Sequence, residues 1–272
     1  MKRAYFTRHI LFFIVACNSD DAGHHSSDLE GTNIRIPTIN YAVTKTHPHD
    51  TTSFTEGLLV HDGKLYESTG SPEDMPQTRS FFGIVDTFTG RIDIKVEVDR
   101  EYFGEGICFL KSKVYQLTYQ LGKGFIYDAI NFKKIGTFNL PVREGWGMTT
   151  DGSSLIVSDG TNVISYLDTG NFSITKQIAV TDENGAVMKI NELEFINGFI
   201  YGNVYGSSTV IKIDVSTGKV VAKIELGSLA REARAIYSGS MEMNGIAYDS
   251  VRKKTFVTGK MWPTIYEIQF QH

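Results

Sequence analysis

Phe103-Gly104-Glu105-Gly106-Ile107-Cys108-Phe109 places a polar residue and a glycine at the head of an apolar run, and related heads recur four more times along the chain. The other copies read Glu56-Gly57-Leu58-Leu59-Val60, Trp146-Gly147-Met148, Asn191-Glu192-Leu193-Glu194-Phe195 and Asn244-Gly245-Ile246-Ala247-Tyr248. Their lead residues, in chain order, are 49, 41, 45 and 53 residues apart. A period of roughly 40–50 residues, with several short strands in each, is the pattern of propeller blades. Radial repetition brings equivalent positions to one axis. Glu56, Glu105, Trp146, Asn191 and Asn244 are therefore expected to face one small space.

Strand patterns around the copies support the same architecture. After Leu58-Leu59-Val60, His61-Asp62-Gly63 is a turn signal, and Lys64 to Ser68 and Ser80 to Asp86 read as further strands. Arg91 to Val98 alternates apolar with charged residues, as an exposed outer strand does. Asp86, Asp128, Asp168 and Asp214 each precede a third-to-fourth turn, where an Asp side chain can accept turn N–H groups. The fifth set reaches only a third strand, Thr264 to Phe270. Ile39 to Lys45 alternates and belongs to no other blade, so it is predicted to pair there and close the ring, removing two open edges. The prediction is an all-β fold over residues 34–272: a five-bladed β-propeller of four-stranded antiparallel blades, the last closed by an N-terminal strand. Ser228 to Ala235 is the one helix-like stretch, read as one or two turns in a long loop.

The bulk properties exclude several function classes. The chain has 272 residues and a net charge of −4, so no basic field points to nucleic acid. Two cysteines, one of them in the leader, give no disulfide framework. Cys108, inside an apolar strand, reads as a small buried hydrophobe. Residues 1–17 resemble a bacterial lipoprotein signal: Met1-Lys2-Arg3 and Arg8 supply charge, the run from Ile10 to Ala16 is too short to span a bilayer, and Ile14-Val15-Ala16 leads to Cys17. Residues 18–33 are polar and read as a flexible tether. The expectation is an extracytoplasmic monomer, periplasmic or on the outer membrane of a Gram-negative bacterium. Its membrane contact would run through a lipidated Cys17 alone.

A second repeated position falls at the end of each second strand. If first strands start at the mouth, second strands return to it. Tyr119, Asp159, Tyr205 and Lys260 should therefore rim the mouth that Glu105 and Asn191 line, with Trp146 and Trp262 within or beside the sets. Aromatic walls around a few convergent polar groups suit a small molecule or a peptide end. A carboxyl desolvated against rings has its pKa raised, so that it serves as both acid and base near neutrality. An ammonium beside it stabilises a developing oxyanion. These are the parts needed to attack an amide carbon with an amine or water. The histidines show no ligand spacing beyond His47-Pro48-His49, which is read as part of the N-terminal tether or strand. Rings of Glu and Asn at an axis also suit calcium. A calcium-dependent propeller lactonase or hydrolase and a non-catalytic binding propeller thus remain alternatives.

The motif series resembles one family closely. Phe54-Thr55-Glu56-Gly57-Leu58, Tyr66-Glu67-Ser68-Thr69-Gly70, Phe103-Gly104-Glu105-Gly106-Ile107, Glu144-Gly145-Trp146-Gly147, Ser158-Asp159-Gly160, Asn191-Glu192-Leu193-Glu194, Asn244-Gly245-Ile246-Ala247 and Thr258-Gly259-Lys260-Met261-Trp262-Pro263 follow the order of the plant and bacterial type of glutaminyl-peptide cyclotransferase. The likeness spans residues 50–270. It implies a five-bladed propeller that converts an N-terminal glutamine of a peptide to pyroglutamate and releases ammonia. It implies Glu105 as the general acid/base, with Asn191 and Lys260 holding the substrate and polarising its γ-carboxamide. Phe54, Phe103 and Trp146 would form the aromatic wall, and Glu56, Tyr119, Tyr205, Asn244 and Trp262 complete the expected substrate-binding set. Glu56 stands where the family usually has Gln, and Tyr119 and Tyr205 where it commonly has Trp. Ser71 to Gln77 replaces a Tyr-Gly-containing loop. No cofactor is required by this chemistry; a structural calcium ion in the axial channel is compatible with it.

Overall fold

The innermost strand of every blade is a nearly continuous buried run, and these runs pack around one axis. The computed structural model describes residues 35–272; the expected signal and tether, Cys17 included, lie outside the described residues. Strand β1 (Tyr41–Pro48) precedes blade one, which comprises β2 (Phe54–His61), β3 (Lys64–Gly70), β4 (Phe81–Val85) and β5 (Ile92–Glu97). Blade two holds β6 (Gly104–Leu110), β7 (Lys113–Thr118), β8 (Lys123–Asp128) and β9 (Lys134–Asn139). Blade three holds β10 (Met148–Thr150), β11 (Leu155–Ser158), β12 (Val163–Leu167) and β13 (Ile174–Ala179). After a two-stranded hairpin, β14 (Thr181–Asp182) and β15 (Gly185–Ala186), comes blade four: β16 (Ile190–Ile196), β17 (Phe199–Val204), β18 (Thr209–Asp214) and β19 (Val220–Glu225). Helix α1 (Gly227–Ile236) leads to blade five, with β20 (Met243–Asp249), β21 (Lys254–Gly259) and β22 (Thr264–Phe270).

Each blade is a four-stranded antiparallel sheet in sequence order, except that β1 completes the fifth in the order β1-β22-β21-β20. The inner strands β2, β6, β10, β16 and β20 contact one another in turn, and β20 returns to β2. All seven residues of β20 are buried, whereas β5 alternates with charged residues in solvent. Five clusters of buried apolar side chains fill the spaces between neighbouring blades. One contains Leu59, Tyr66, Phe82, Ile107, Val114 and Phe125, from blades one and two. Cys108 is a buried free thiol on β6. Asp86, Asp128, Asp168 and Asp214 each accept two backbone N–H groups from their own turns, as expected.

Three details differ from the sequence reading. The clasp runs from Tyr41 to Pro48 rather than from Ile39 to Lys45. A register shift between Val43 and Lys45 resets the alternation, so a period-two pattern loses the second half of the strand. Ile39 instead donates its N–H to Lys223 of blade four. Helix α1 extends to ten residues because Leu229, Ala230 and Ala233 dock into the cluster between blades four and five. The β14–β15 hairpin is too short to leave a pattern.

Candidate active site

The lead residues of four copies occupy irregularities in the inner-strand ladders. Pairing jumps between Thr55 and Gly57, between Gly104 and Ile107, between Ile190 and Leu193, and between Met243 and Ile246. Each jump leaves an extra residue on the inner strand. Glu56, Glu105, Asn191 and Asn244 lie within these steps, where a bulge frees a side chain from strict alternation and re-aims it. The glycine after a lead residue lets adjacent inner strands approach closely. A Cβ on Gly147 would lie 2.1 Å from the Asn191 carbonyl oxygen.

A cavity of about 350 Å³ opens at this end of the axis, lined by Phe54, Glu56, Pro72, Phe103, Glu105, Tyr119, Trp146, Asn191, Tyr205 and Lys260. Its rings form a collar in blade order. Phe54 meets Phe103 edge-on at 5.9 Å between centroids, Phe103 lies 5.9 Å from Tyr119, Tyr119 6.5 Å from Trp146, and Trp146 5.9 Å from Tyr205. Lys260 closes the collar, its Nζ 5.5 Å from the Tyr205 centroid and 4.4 Å from that of Phe54. Trp146 Nε1 donates to Glu144 Oε2 at 3.0 Å, which fixes the indole.

Two carboxyls and an amide occupy the polar part. Glu56 Oε1 accepts from Lys260 Nζ at 2.5 Å, and its Oε2 accepts from Asn244 Nδ2 at 3.0 Å. Glu105 is buried, and its Oε2 has no hydrogen-bond partner; Asn191 Oδ1 is likewise unpartnered. Burial raises Glu105 well above the usual carboxylate range; the negative charges of Glu56 and Glu144 add to the rise, and Lys260 opposes it. Burial pushes Lys260 down, but Glu56 and Glu105 more than offset this, so the proton of the Glu56–Lys260 pair stays on the amine. The cavity therefore holds a neutralised ion pair beside a carboxyl that retains its proton to unusually high pH.

The structure thus gathers Glu105, Lys260, Asn191, Glu56, Phe54, Phe103, Tyr119, Trp146 and Tyr205 around one cavity. It does not bring Asn244, Trp262 or Asp159 to the lining, and the expectation that these three face it is corrected. Asn244 stands behind Glu56 and also donates to the Thr55 carbonyl. Trp262 is fully buried, with Nε1 donating to Met241, because it packs on Tyr266 within blade five. Asp159 turns back to accept from the N–H and hydroxyl of Thr161. The sequence reading assigned no role to Pro72, in the replaced loop, or to Glu144, which lay inside a quoted motif without a partner in view.

A closed five-bladed ring carries a desolvated carboxyl, a buried amine and an aromatic collar at one mouth, the arrangement of a β-propeller with an enclosed site. Comparison with known proteins gives its family. A profile of the glutamine cyclotransferase family matches residues 13–270, and the chain belongs to that family. It is 35% identical over 226 residues to a glutaminyl-peptide cyclotransferase of Arabidopsis thaliana, covering 82% of this chain and 69% of the plant protein. Its fold is similar to the crystal structure of Myxococcus xanthus glutaminyl cyclase, with a TM-score of 0.77 at 28% identity, covering 87% of this chain and 99% of the other.

Proposed function

We propose that this chain is a glutaminyl-peptide cyclotransferase that closes the N-terminal glutamine of peptides to pyroglutamate and releases ammonia. The observation that carries the mechanism is the buried, unpartnered Oε2 of Glu105 beside Lys260. The substrate's neutral α-amine attacks its own δ-carbon, and the new C–N bond forms. The negative charge that develops on the carbonyl oxygen is met by Lys260. Glu105, protonated at rest, gives its proton to the departing ammonia as the old C–N bond breaks and takes in return the proton released by the attacking amine, ending in the state in which it began. Asn191 Oδ1 accepts a substrate N–H. The collar holds the glutamine side chain curled over its own amine; for an intramolecular reaction such orientation is worth ~7–11 kcal/mol.

No cofactor enters these steps: nucleophile, electrophile and leaving group all belong to the substrate, and Lys260 supplies the positive charge. One axial carboxylate is already committed to backbone donors. Both oxygens of Glu192 are taken, by the N–H groups of Leu58 and Ile246. Among the described residues no group of three or more His, Cys, Asp or Glu is arranged to hold a metal. The extracytoplasmic, lipid-anchored and monomeric state belongs to the same proposal. Its support is the leader ending in Cys17 and the clasp, which completes the fifth blade without a second copy. Among the described residues no helix is long and apolar enough to cross a membrane.

Ammonia release from Gln-initiated dipeptides tests the reading. The unmodified chain is expected to release ammonia, with or without a chelator. Glu105→Gln is expected to lose about 10²–10⁴-fold in kcat. No release above background by the unmodified chain overturns the function, and an equally active variant overturns the acid/base assignment. Loss of activity on chelation would favour the calcium-dependent alternative.

A further inference from the structure

A second buried charge pair lies just outside the cavity and takes no part in the steps above. His49 and Glu67 are both fully buried. His49 Nδ1 lies 2.7 Å from the Trp262 carbonyl oxygen, which can only accept, so Nδ1 carries a hydrogen. Nε2 faces both oxygens of Glu67, at 3.1 and 3.0 Å. Burial alone would lower the imidazole pKa, but Glu67 reverses this and holds it above its ordinary value. Thr55 Oγ1 donates to the same carboxylate at 2.7 Å. Thr55 immediately precedes Glu56, and Trp262 lies two residues beyond Lys260. The pair therefore ties β2, β3 and the β21–β22 turn together across the seam between the first and last blades.

The turn it grips is not relaxed. Met261 has φ of 59°, the left-handed region that residues with a Cβ rarely adopt. Two further hydrogen bonds hold it there: Met261 N–H to the Ser53 carbonyl at 2.7 Å, and His49 N–H to the Pro263 carbonyl at 3.0 Å. Lys260, the preceding residue, is thereby placed with Nζ 2.5 Å from Glu56 Oε1. A buried ion pair is a poor source of stability, because desolvation cancels most of its attraction. Its worth here is geometric.

We propose that the His49–Glu67 pair is a positioning device for Lys260, locking the Gly259–Pro263 turn so that the ammonium stands where the carbonyl oxygen becomes charged. This rests on the role given to Lys260 above. The test is a double-mutant cycle of kcat and KM on a Gln-initiated dipeptide, using His49→Asn, Lys260→Met and the double variant, each checked by circular dichroism and thermal unfolding. His49→Asn is expected to lower kcat by about 10–100-fold, since a displacement on the order of 1 Å costs up to about 10² in rate, and to change KM by less than about threefold. In the Lys260→Met background the same substitution is expected to change kcat by less than about twofold. Equal factors in the two backgrounds overturn the proposal, as does an unchanged kcat in His49→Asn. Unchanged kcat in Lys260→Met removes the lysine from the mechanism, a separable failure of the underlying reading. If His49→Asn does not fold, Glu67→Gln, whose amide can donate to a neutral His49, carries the same cycle with the same criteria.

Discussion

At Lys260 burial and the neighbouring carboxyl groups act in opposite directions on one proton, and the carboxyl groups together prevail. Removing the charge of Glu56 without changing its shape should reverse that outcome. In Glu56→Gln, Lys260 loses its largest electrostatic support and its pKa falls. Glu105 also falls, because Glu56 is one cause of its rise. Both limbs of the kcat–pH profile are therefore expected to move to lower pH, with the fold retained. A profile superimposable on that of the unmodified chain would show that the Glu56 charge does not reach the reacting groups. Nine of the cavity-lining residues were legible from sequence: seven because the repeat marks equivalent positions and the strand direction says which end they share, and Phe54 and Phe103 through the family resemblance. Asn244, Trp262 and Asp159 follow the same repeat yet face elsewhere. A position fixes where a Cα lies, whereas side-chain direction depends on neighbours such as Thr161 or Tyr266 that no period reveals. The His49–Glu67 contact had no signal at all, because it joins segments whose nearness follows only from ring closure.

At the scale of the strand, the site is built from departures from regular pairing. Four inner strands carry one residue too many at the mouth, and the steps hold Glu56, Glu105 and Asn191 of the cavity lining and Asn244 behind it. The motif was visible in sequence, but the bulge that makes it useful was not, since one added residue looks like any other until its partner strand is known. Gly147 exposes how tightly the ring is drawn. A methyl there would meet the Asn191 carbonyl oxygen at 2.1 Å and the Glu192 Cα at 2.7 Å, both backbone atoms that cannot swing aside. Gly147→Ala should therefore push β16 away from β10 and cost about 1–3 kcal/mol, the usual range for an overpacked interior. Because Asn191 lies on the displaced segment, kcat should fall as well. Denaturant unfolding together with the dipeptide assay measures both. Unchanged stability would mean that the inner strands are not held at this spacing.

At the scale of the whole ring, protons collect at the axis. Inner strands facing the channel have N–H groups with no neighbouring strand to receive them, and blade four supplies carboxyls instead. Glu192 accepts from Leu58 and Ile246, and Glu194 accepts from Tyr248 at 2.7 Å. Burial raises Glu192 well above the usual range and carries Glu194 from 4.5 to about 8, against the pull of its N–H donors. These shifts set a sign for stability. Between pH 4.5 and about 8 the unfolded chain has released the Glu194 proton and the folded chain still holds it. The contribution is therefore complete below 4.5 and is lost as pH rises through 8, at a slope of about 1.4 kcal/mol per pH unit for one proton. Glu192 and Glu105 act in the same direction. The surface carboxylates Asp86 and Asp214, held below their ordinary values by N–H and hydroxyl donors in their turns, contribute in full above about pH 4 and lose that contribution only at lower pH, so they do not offset the loss above it. The melting temperature is expected to fall steadily from pH 5 to pH 8, and Glu194→Gln to flatten that fall by the equivalent of one proton. A melting temperature that stays level or rises across this range in the unmodified chain would mean that the axial carboxyls are ionised in the folded ring.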